Sequence, residues 1–123
     1  MDDGWKGNIS VNAPKNFTVT AGENVSISAG KEVSVSAGTN MSNSANENIS
    51  QVAGQDINQT VSGDHVSNAN NKTEIIEKDF KRQSSKSGEF AREITFFSTD
   101  ENMTMQSGKD VKFNSAEKSK LLA

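Results

Sequence analysis

The histidine of this chain, His65, is the residue best suited to ligand chemistry, because the sequence contains one histidine and no cysteine. It lies eight positions after Ile57 and continues a series of apolar residues that have this same spacing. If three copies of the chain met along the series, three imidazoles could bind a metal ion or an anion near a common axis. A histidine beside Gly63 and Asp64, where the pattern begins to fail, is more typical of a surface or corner position. We therefore predict no metal site and keep His65 as a candidate axial ligand.

The other residue types do not form a known catalytic or cofactor pattern. Asp2 and Asp3 are terminal acidic residues without the spacing of a calcium-binding loop, and such residues are usually solvated. The glycines recur every eight residues and do not follow the arrangement of a phosphate-binding loop. Serine is plentiful, but a serine-histidine-acid triad could use only His65, and no nucleophile-elbow motif occurs. The sequence therefore predicts that the protein is not an enzyme and needs no cofactor.

Composition excludes further functional classes. Only 32% of the 123 residues are hydrophobic, which makes a conventional globular core unexpected. The net charge is −3, and Lys and Arg are interspersed with Asp and Glu, so no basic surface for nucleic acid is predicted. The N-terminus is acidic and the apolar runs are short, so neither a signal peptide nor a membrane span is predicted.

An eight-residue repeat organises the N-terminal half of the chain. Large apolar residues recur every eight positions, a second apolar series follows two positions later, and a small-residue series including Ala13 and Ala53 follows two positions after that. The first series consists of Ile9, Phe17, Val25, Val33, Met41, Ile49 and Ile57. The second series consists of Val11, Val19, Ile27 and Val35. Spacing of two is typical of one face of a strand, so each repeat is predicted to contain a strand with these residues in the core. Each strand is followed by a predicted corner, and the corner glycines are Gly22, Gly30, Gly38 and Gly54.

The repeat changes character along the chain. After Met41 the second series becomes polar at Asn43, Gln51, Gln59 and Ser67, which predicts a ladder of hydrogen-bonded side chains. Residues 70–94 are rich in charge and form a remodelled or inserted section, for which we favour longer twisted strands over a helix. A second octad section at 95–116 is shifted by two positions. Thr95, Met103 and Val111 form its first series, and Phe97, Met105 and Phe113 form its second. Its predicted core residues are Met103, Met105, Val111 and Phe113, with a corner at Gly108.

These patterns predict five segments and one architecture. The segments are an N-terminal edge of an excised piece at 1–8, octads at 9–69, the charged section at 70–94, octads at 95–116 and a tail at 117–123. One octad spans at most about 26 to 29 Å, and three octads would complete one turn of a small triangular cross-section. Periodicity alone leaves open whether the three come from one chain or from three. Because seven octads give few turns in one chain but seven layers in three chains, we predict an all-β, intertwined homotrimeric triple-stranded β-helix, or β-prism.

The octads, including GENVSISAGKEVSVSAG from Gly22 to Gly38, resemble the C-terminal needle of the valine-glycine repeat (VgrG) spike proteins of type VI secretion systems. They are also similar to the octapeptide-repeat needle of the phage T4 tail-spike lysozyme. The resemblance covers residues 4–69 well and 95–116 more loosely. It implies a structural spike of a contractile injection apparatus that punctures a target membrane.

The resemblance also implies partners. A conical tip protein of the proline-alanine-alanine-arginine repeat (PAAR) type would sit near Val111–Ala123, with Leu121 and Leu122 as candidate tip-binding residues. Effectors or adaptors would attach on or beyond the needle. The charged segment from Lys72 to Glu93 is predicted to be a solvated, salt-bridged part of the shaft, and the alternative is a docking collar for an effector or adaptor, which exposure of Ile75, Phe80 and Phe90 would favour. Assembly would take place in the bacterial cytoplasm, and export would use the injection machine. The alternatives are a trimeric adhesin-like stalk and a phage tail-spike needle.

Overall fold

A computed structural model describes residues 7–118 and Lys120. Within these residues the backbone forms neither helix nor strand. It consists of short segments of six residues that are separated by bends of one to three residues. The structural unit is therefore one segment and the bend that ends it.

The predicted all-β triple-stranded β-helix is wrong for this chain. A strand exists only where its backbone pairs with a neighbouring backbone in a ladder, and the described residues contain no such pairing. No two described residues that are twelve or more positions apart have Cα atoms within 8 Å of each other. Alternating side chains are typical of strands, but the described residues place no second backbone beside the first, so the strand prediction is wrong.

The bends recur with the period of the sequence repeat. From Pro14 to Asn70, the first residues of successive bends are eight positions apart. The predicted corner glycines Gly22, Gly30, Gly38 and Gly54 each lie at a bend, as does Gly108. Glycine is not needed for the backbone conformation, because no described glycine has a positive φ angle. The same bend position is filled by Pro14, whose ring fixes φ near −65°.

The bends continue through the charged section. Residues 70–94 form neither the twisted strands that the sequence favoured nor a helix, and bends occur at Glu77, Ser85 and Arg92. The next bends begin at Thr99, Gly108 and Ala116. From Asn70 to Ala116 the chain makes six repeats in 46 residues, two fewer than six octads would need. This shortening accounts for the two-position shift between the two octad sections.

The chain divides into two units, Met1–Asp64 and His65–Ala123. Neither unit has a buried residue in its described part, and Ala13 is the residue that comes nearest to burial. The residues predicted for the core are therefore all exposed in the single chain. A search of the described residues finds no helix with the length and apolar character needed to cross a membrane.

Candidate interaction surface

The bends define which side chains occupy equivalent positions in each repeat. We call the residues five and three positions before each bend the first and second columns, and the residue just before the bend the pre-bend column. Since neighbouring positions alternate between two sides of an extended segment, these three columns share one side. The apolar members include the fifteen predicted core residues. Those fifteen are Ile9, Val11, Phe17, Val19, Val25, Ile27, Val33, Val35, Met41, Ile49, Ile57, Met103, Met105, Val111 and Phe113.

The apolar side chains of the three columns are partly covered within the single chain. Their exposed fractions lie between 47% at Val111 and 79% at Ile9. Large apolar residues two positions before a bend are more exposed, with values from 83% at Phe97 to 98% at Phe90. We call this position the outer column. The difference agrees with the alternation predicted from sequence and shows that the columns form the more covered side.

The pre-bend column is the most regular feature of the chain. Between Ala13 and Ser115 it contains only Ala or Ser, except at Val61 and Ile76. Before the bends of the charged section, Ala69, Ser84 and Ala91 follow this rule, and Ile76 is the exception. Serine hydroxyls also bond to the bend backbone: the amide of Lys109 donates to Ser107 Oγ over 3.1 Å. The remaining members are Ala21, Ala29, Ala37, Ala45, Ala53, Ser98, Ser107 and Ser115.

The bend at Thr99–Glu101 changes the assignment of two columns. The sequence predicts Thr95 and Phe97 as column residues, but the residues five and three positions before Thr99 are Ile94 and Phe96. Phe96 lines one cavity of about 240 Å³ together with Met103, Thr104 and Met105. Phe97 instead lies in the outer column. This bend has three residues where most bends have two, so counting back from Met103 in steps of eight gives positions one residue too late in the chain.

Charged side chains occupy the columns in the middle of the second unit. The first column contains Lys72 and Phe80, and the second column contains Glu74, Arg82 and Glu89 in successive repeats. Lys72 Nζ lies 3.0 Å from Glu74 Oε1, and Arg82 Nη1 lies 3.7 Å from Glu89 Oε1. Arg82 also places its guanidinium 5.3 Å from the centre of the Phe80 ring, a cation–π arrangement. We call these five residues the charged cluster.

Three of the four uncharged polar residues of the second column, Asn43, Gln51 and Gln59, lie in the first unit, and Ser67 lies in the second. Gln51 and Gln59 of adjacent repeats line one open cavity of about 520 Å³, which also borders Ile57. An open cavity leaves the two amides accessible to water in the single chain. The predicted amide ladder therefore stays a prediction for an assembled state.

The predicted ligand-binding residues do not form a site within the described part of the chain. His65 is exposed and falls in the first column, as the spacing predicts. No group of three or more His, Asp or Glu residues in 7–118 could hold a metal ion. Asp2, Asp3, Leu121 and Leu122 lie outside the described residues.

Two of the three residues predicted for a docking collar lie in the outer column. Ile75 and Phe90 are 87% and 98% exposed, whereas Phe80 belongs to the first column. Sequence reasoning missed Phe97 as their neighbour in the outer column. Phe90 and Phe97 each directly precede a small pre-bend residue, and this signal could have identified both of them, whereas Ile75 precedes Ile76.

Comparison with known proteins adds no relative. No family model matches the chain, and neither a curated protein nor a solved structure matches it.

Proposed function

We propose that this chain is a structural needle, or spike, segment of a contractile injection apparatus of the type VI secretion kind. Three copies associate along their columns into a rigid rod that pierces a target envelope and carries a tip protein or effectors. The role is mechanical and not catalytic.

The continuous exposure of the columns is the observation that supports this proposal most. Val33, Met41 and Val111 are each about half exposed, and similar residues recur at almost every repeat. Monomeric soluble proteins rarely expose large apolar patches, so apolar residues that are exposed in most repeats favour a state in which they are covered. Full burial of a Val, Ile, Met or Phe side chain is worth about 1.5 to 3 kcal/mol, so covering the columns provides a large driving force for association.

The spacing of the columns favours further copies of the same chain as the covering partner. A partner must present apolar groups at the same intervals as this chain in order to match it at every repeat. Those intervals are eight residues as far as Asn70 and seven to nine thereafter. A copy that is aligned residue for residue satisfies this irregular series automatically. Three copies follow from the resemblance and from the small cross-section that octads can enclose.

The remaining surface is consistent with a needle. The outer column carries Asn, Ser, Thr or Gln at most repeats, which would keep the rod hydrated and reduce lateral aggregation. Association along the full length makes separation of the copies slow, because many repeats must open before any chain is released. Assembly in the bacterial cytoplasm and export by the injection machine complete the proposal.

Tip and cargo attachment belong to the same proposal. A conical PAAR-type tip protein would bind the end that contains Val111. An effector or adaptor would bind the apolar members of the outer column, Ile75, Phe90 and Phe97, because these side chains lie on the opposite side from the columns that bind other copies. They are also among the most exposed apolar residues of the described chain.

The absolute mass in solution tests the proposal. Light scattering coupled to size exclusion should give three times the chain mass of 13.2 kDa, and sedimentation velocity should give the high frictional ratio of an elongated particle. Mixing with a PAAR-type tip protein should add one tip protein per three chains. A chain that stays at 13.2 kDa at all accessible concentrations would refute the needle function.

A further inference from the structure

One segment of the second unit, residues 86–91, combines an aromatic ring with cations on the side opposite the columns. Lys86, Gly88 and Phe90 alternate with the column residues of this segment, and the bend at Arg92 follows directly. Phe90 is 98% exposed, the highest value of any large apolar residue in the described chain. Packing within the single chain therefore does not explain the ring. We call Lys86, Gly88, Phe90 and Arg92 the Phe90 patch.

Gly88 differs from every other glycine in residues 7–118. The others lie at bends, whereas Gly88 lies inside a segment. A Cβ atom added at Gly88 would lie 3.3 Å from Phe90 Cε2, but at the other described glycines it would meet nothing within 4 Å. Glycine inside an extended segment is unfavourable unless a close approach requires it. Gly88 therefore provides the room in which the Phe90 ring lies back over the segment.

Cations stand on both sides of the ring along the chain. Lys86 precedes Phe90 by four positions and Arg92 follows it by two, so the separations along an extended chain are at most about 14 Å and about 7 Å. Neither cation takes part in the two ion pairs found within residues 7–118. The Phe90 patch therefore presents an exposed apolar group together with positive charge that this part of the chain does not neutralise.

The positive stretch is short. From Lys81 to Arg92, every charge at a bend or on the side opposite the columns is positive. Carboxylates border this stretch at Asp79 and Glu93 and recur in the bend that contains Asp100. A membrane surface or a nucleic acid presents negative charge over a longer distance and would meet these carboxylates as well. The pattern of charge therefore favours a short acidic segment of a protein.

We propose that the Phe90 patch binds an acidic segment of an effector or adaptor. Carboxylates of the partner pair with Lys86 and Arg92, and an apolar side chain of the partner packs on Phe90. A guanidinium suits this role because it can form two parallel hydrogen bonds with one carboxylate. An aromatic anchor supplies most of the affinity in many interfaces, and the charges around it select the partner. This inference rests on the proposed function, in which this side faces away from other copies, and adds the chemistry of the cargo.

Fluorescence anisotropy of the full chain with labelled peptides tests this inference. The probe is a short peptide of glutamates with one tryptophan at its centre, and the matched probe has glutamine in place of each glutamate. The acidic peptide should bind at least about tenfold more tightly at low salt, and high salt should remove most of this preference by screening. Phe90→Ser should weaken its binding at least about tenfold, because the aromatic anchor is lost. Lys86→Gln with Arg92→Gln should abolish the preference for glutamate over glutamine.

Two control variants make comparable changes outside the Phe90 patch. Val52→Ser removes an outer-column side chain that is 97% exposed but has no cation in its segment or in the bend that follows. Lys15→Gln with Lys31→Gln removes the same charge from two bends of the first unit. Both should bind the acidic peptide within about twofold of the parent, as expected for surface changes away from the contact.

Three results would overturn the inference. The first is equal binding of the two peptides by the parent, and the second is an equal effect of Phe90→Ser and Val52→Ser. The third is binding of phosphatidylserine vesicles or a single-stranded oligonucleotide by a parent that does not bind the acidic peptide. The mass of each sample is measured separately: a chain that stays at 13.2 kDa refutes the needle, whereas the peptide preference decides the role of the Phe90 patch at either mass.

Discussion

Val33 and Val52 provide a matched pair of substitutions because they are the same residue type in different columns. Val33 belongs to the first column and is 53% exposed, whereas Val52 belongs to the outer column and is 97% exposed. Val33→Ala removes two carbon groups, worth about 1.6 kcal/mol when fully buried. About half of that burial already exists within the chain, so association loses about 0.8 kcal/mol per copy. An assembly of three should lose about 2.5 kcal/mol, roughly a 60-fold weaker association constant. Val52→Ala should change stability by less than about 0.5 kcal/mol.

Sedimentation equilibrium at several loading concentrations measures this difference directly. The Val33→Ala curve should shift to higher concentration relative to the parent, and the Val52→Ala curve should overlay the parent. Equal effects of the two substitutions would refute the assignment of the columns as the association surface. A larger effect at Val52 would show that the outer column is the buried side.

Three further outcomes are expected. Deleting one whole repeat, Val33–Asn40, should leave the protein assembled with the same number of copies. Deleting only Val33–Ser36 should weaken the assembly, because it leaves a repeat of four residues and moves Lys31 to three positions before the next bend, which puts a charge in the second column of every copy. A mass measurement on both variants checks this. Gly30→Ala should stabilise the protein by about 0.4 to 1 kcal/mol. The φ angle of Gly30 is not positive, and an added Cβ would meet nothing within 4 Å in the chain. A lower denaturation midpoint for this variant would show instead that another copy approaches the bend. Replacing Phe90 and Phe97 together by Ser should preserve the mass of the assembly but weaken binding of an effector or adaptor in a pull-down, and a loss of assembly would contradict their place in the outer column.

The repeat was not recognised from the sequence in the charged section, residues 70–94. Apolar residues mark the columns elsewhere, but here Lys72, Glu74 and Arg82 occupy the same positions, and the repeats are seven or eight residues long. The repeat was still marked by small pre-bend residues at Ala69, Ser84 and Ala91, but Ile76 breaks this series. Spacing alone therefore suggested an unrelated section, and the position of the bends was needed to show that the repeat continues.

The misassignment near residue 97 has a similar origin. Counting octads backwards from Met103 predicts Thr95 and Phe97 as column residues. The three-residue bend at Thr99–Glu101 adds one position, which moves the columns to Ile94 and Phe96. Phe96 and Phe97 are adjacent and both apolar, so hydrophobicity could not decide which of them belongs to the second column.

The sequence alone determined the period of the repeat, the side of each segment that is apolar and the positions of the bends as far as Asn70. These are local properties, since they depend on the alternation of side chains and on residue types that tolerate a bend. The tertiary structure decided whether any segment is a strand. Strands require a second backbone within hydrogen-bonding distance, and the described chain provides none because its contacts join only residues that are close in sequence. The apolar columns that sequence predicts as a core therefore remain exposed in the described chain.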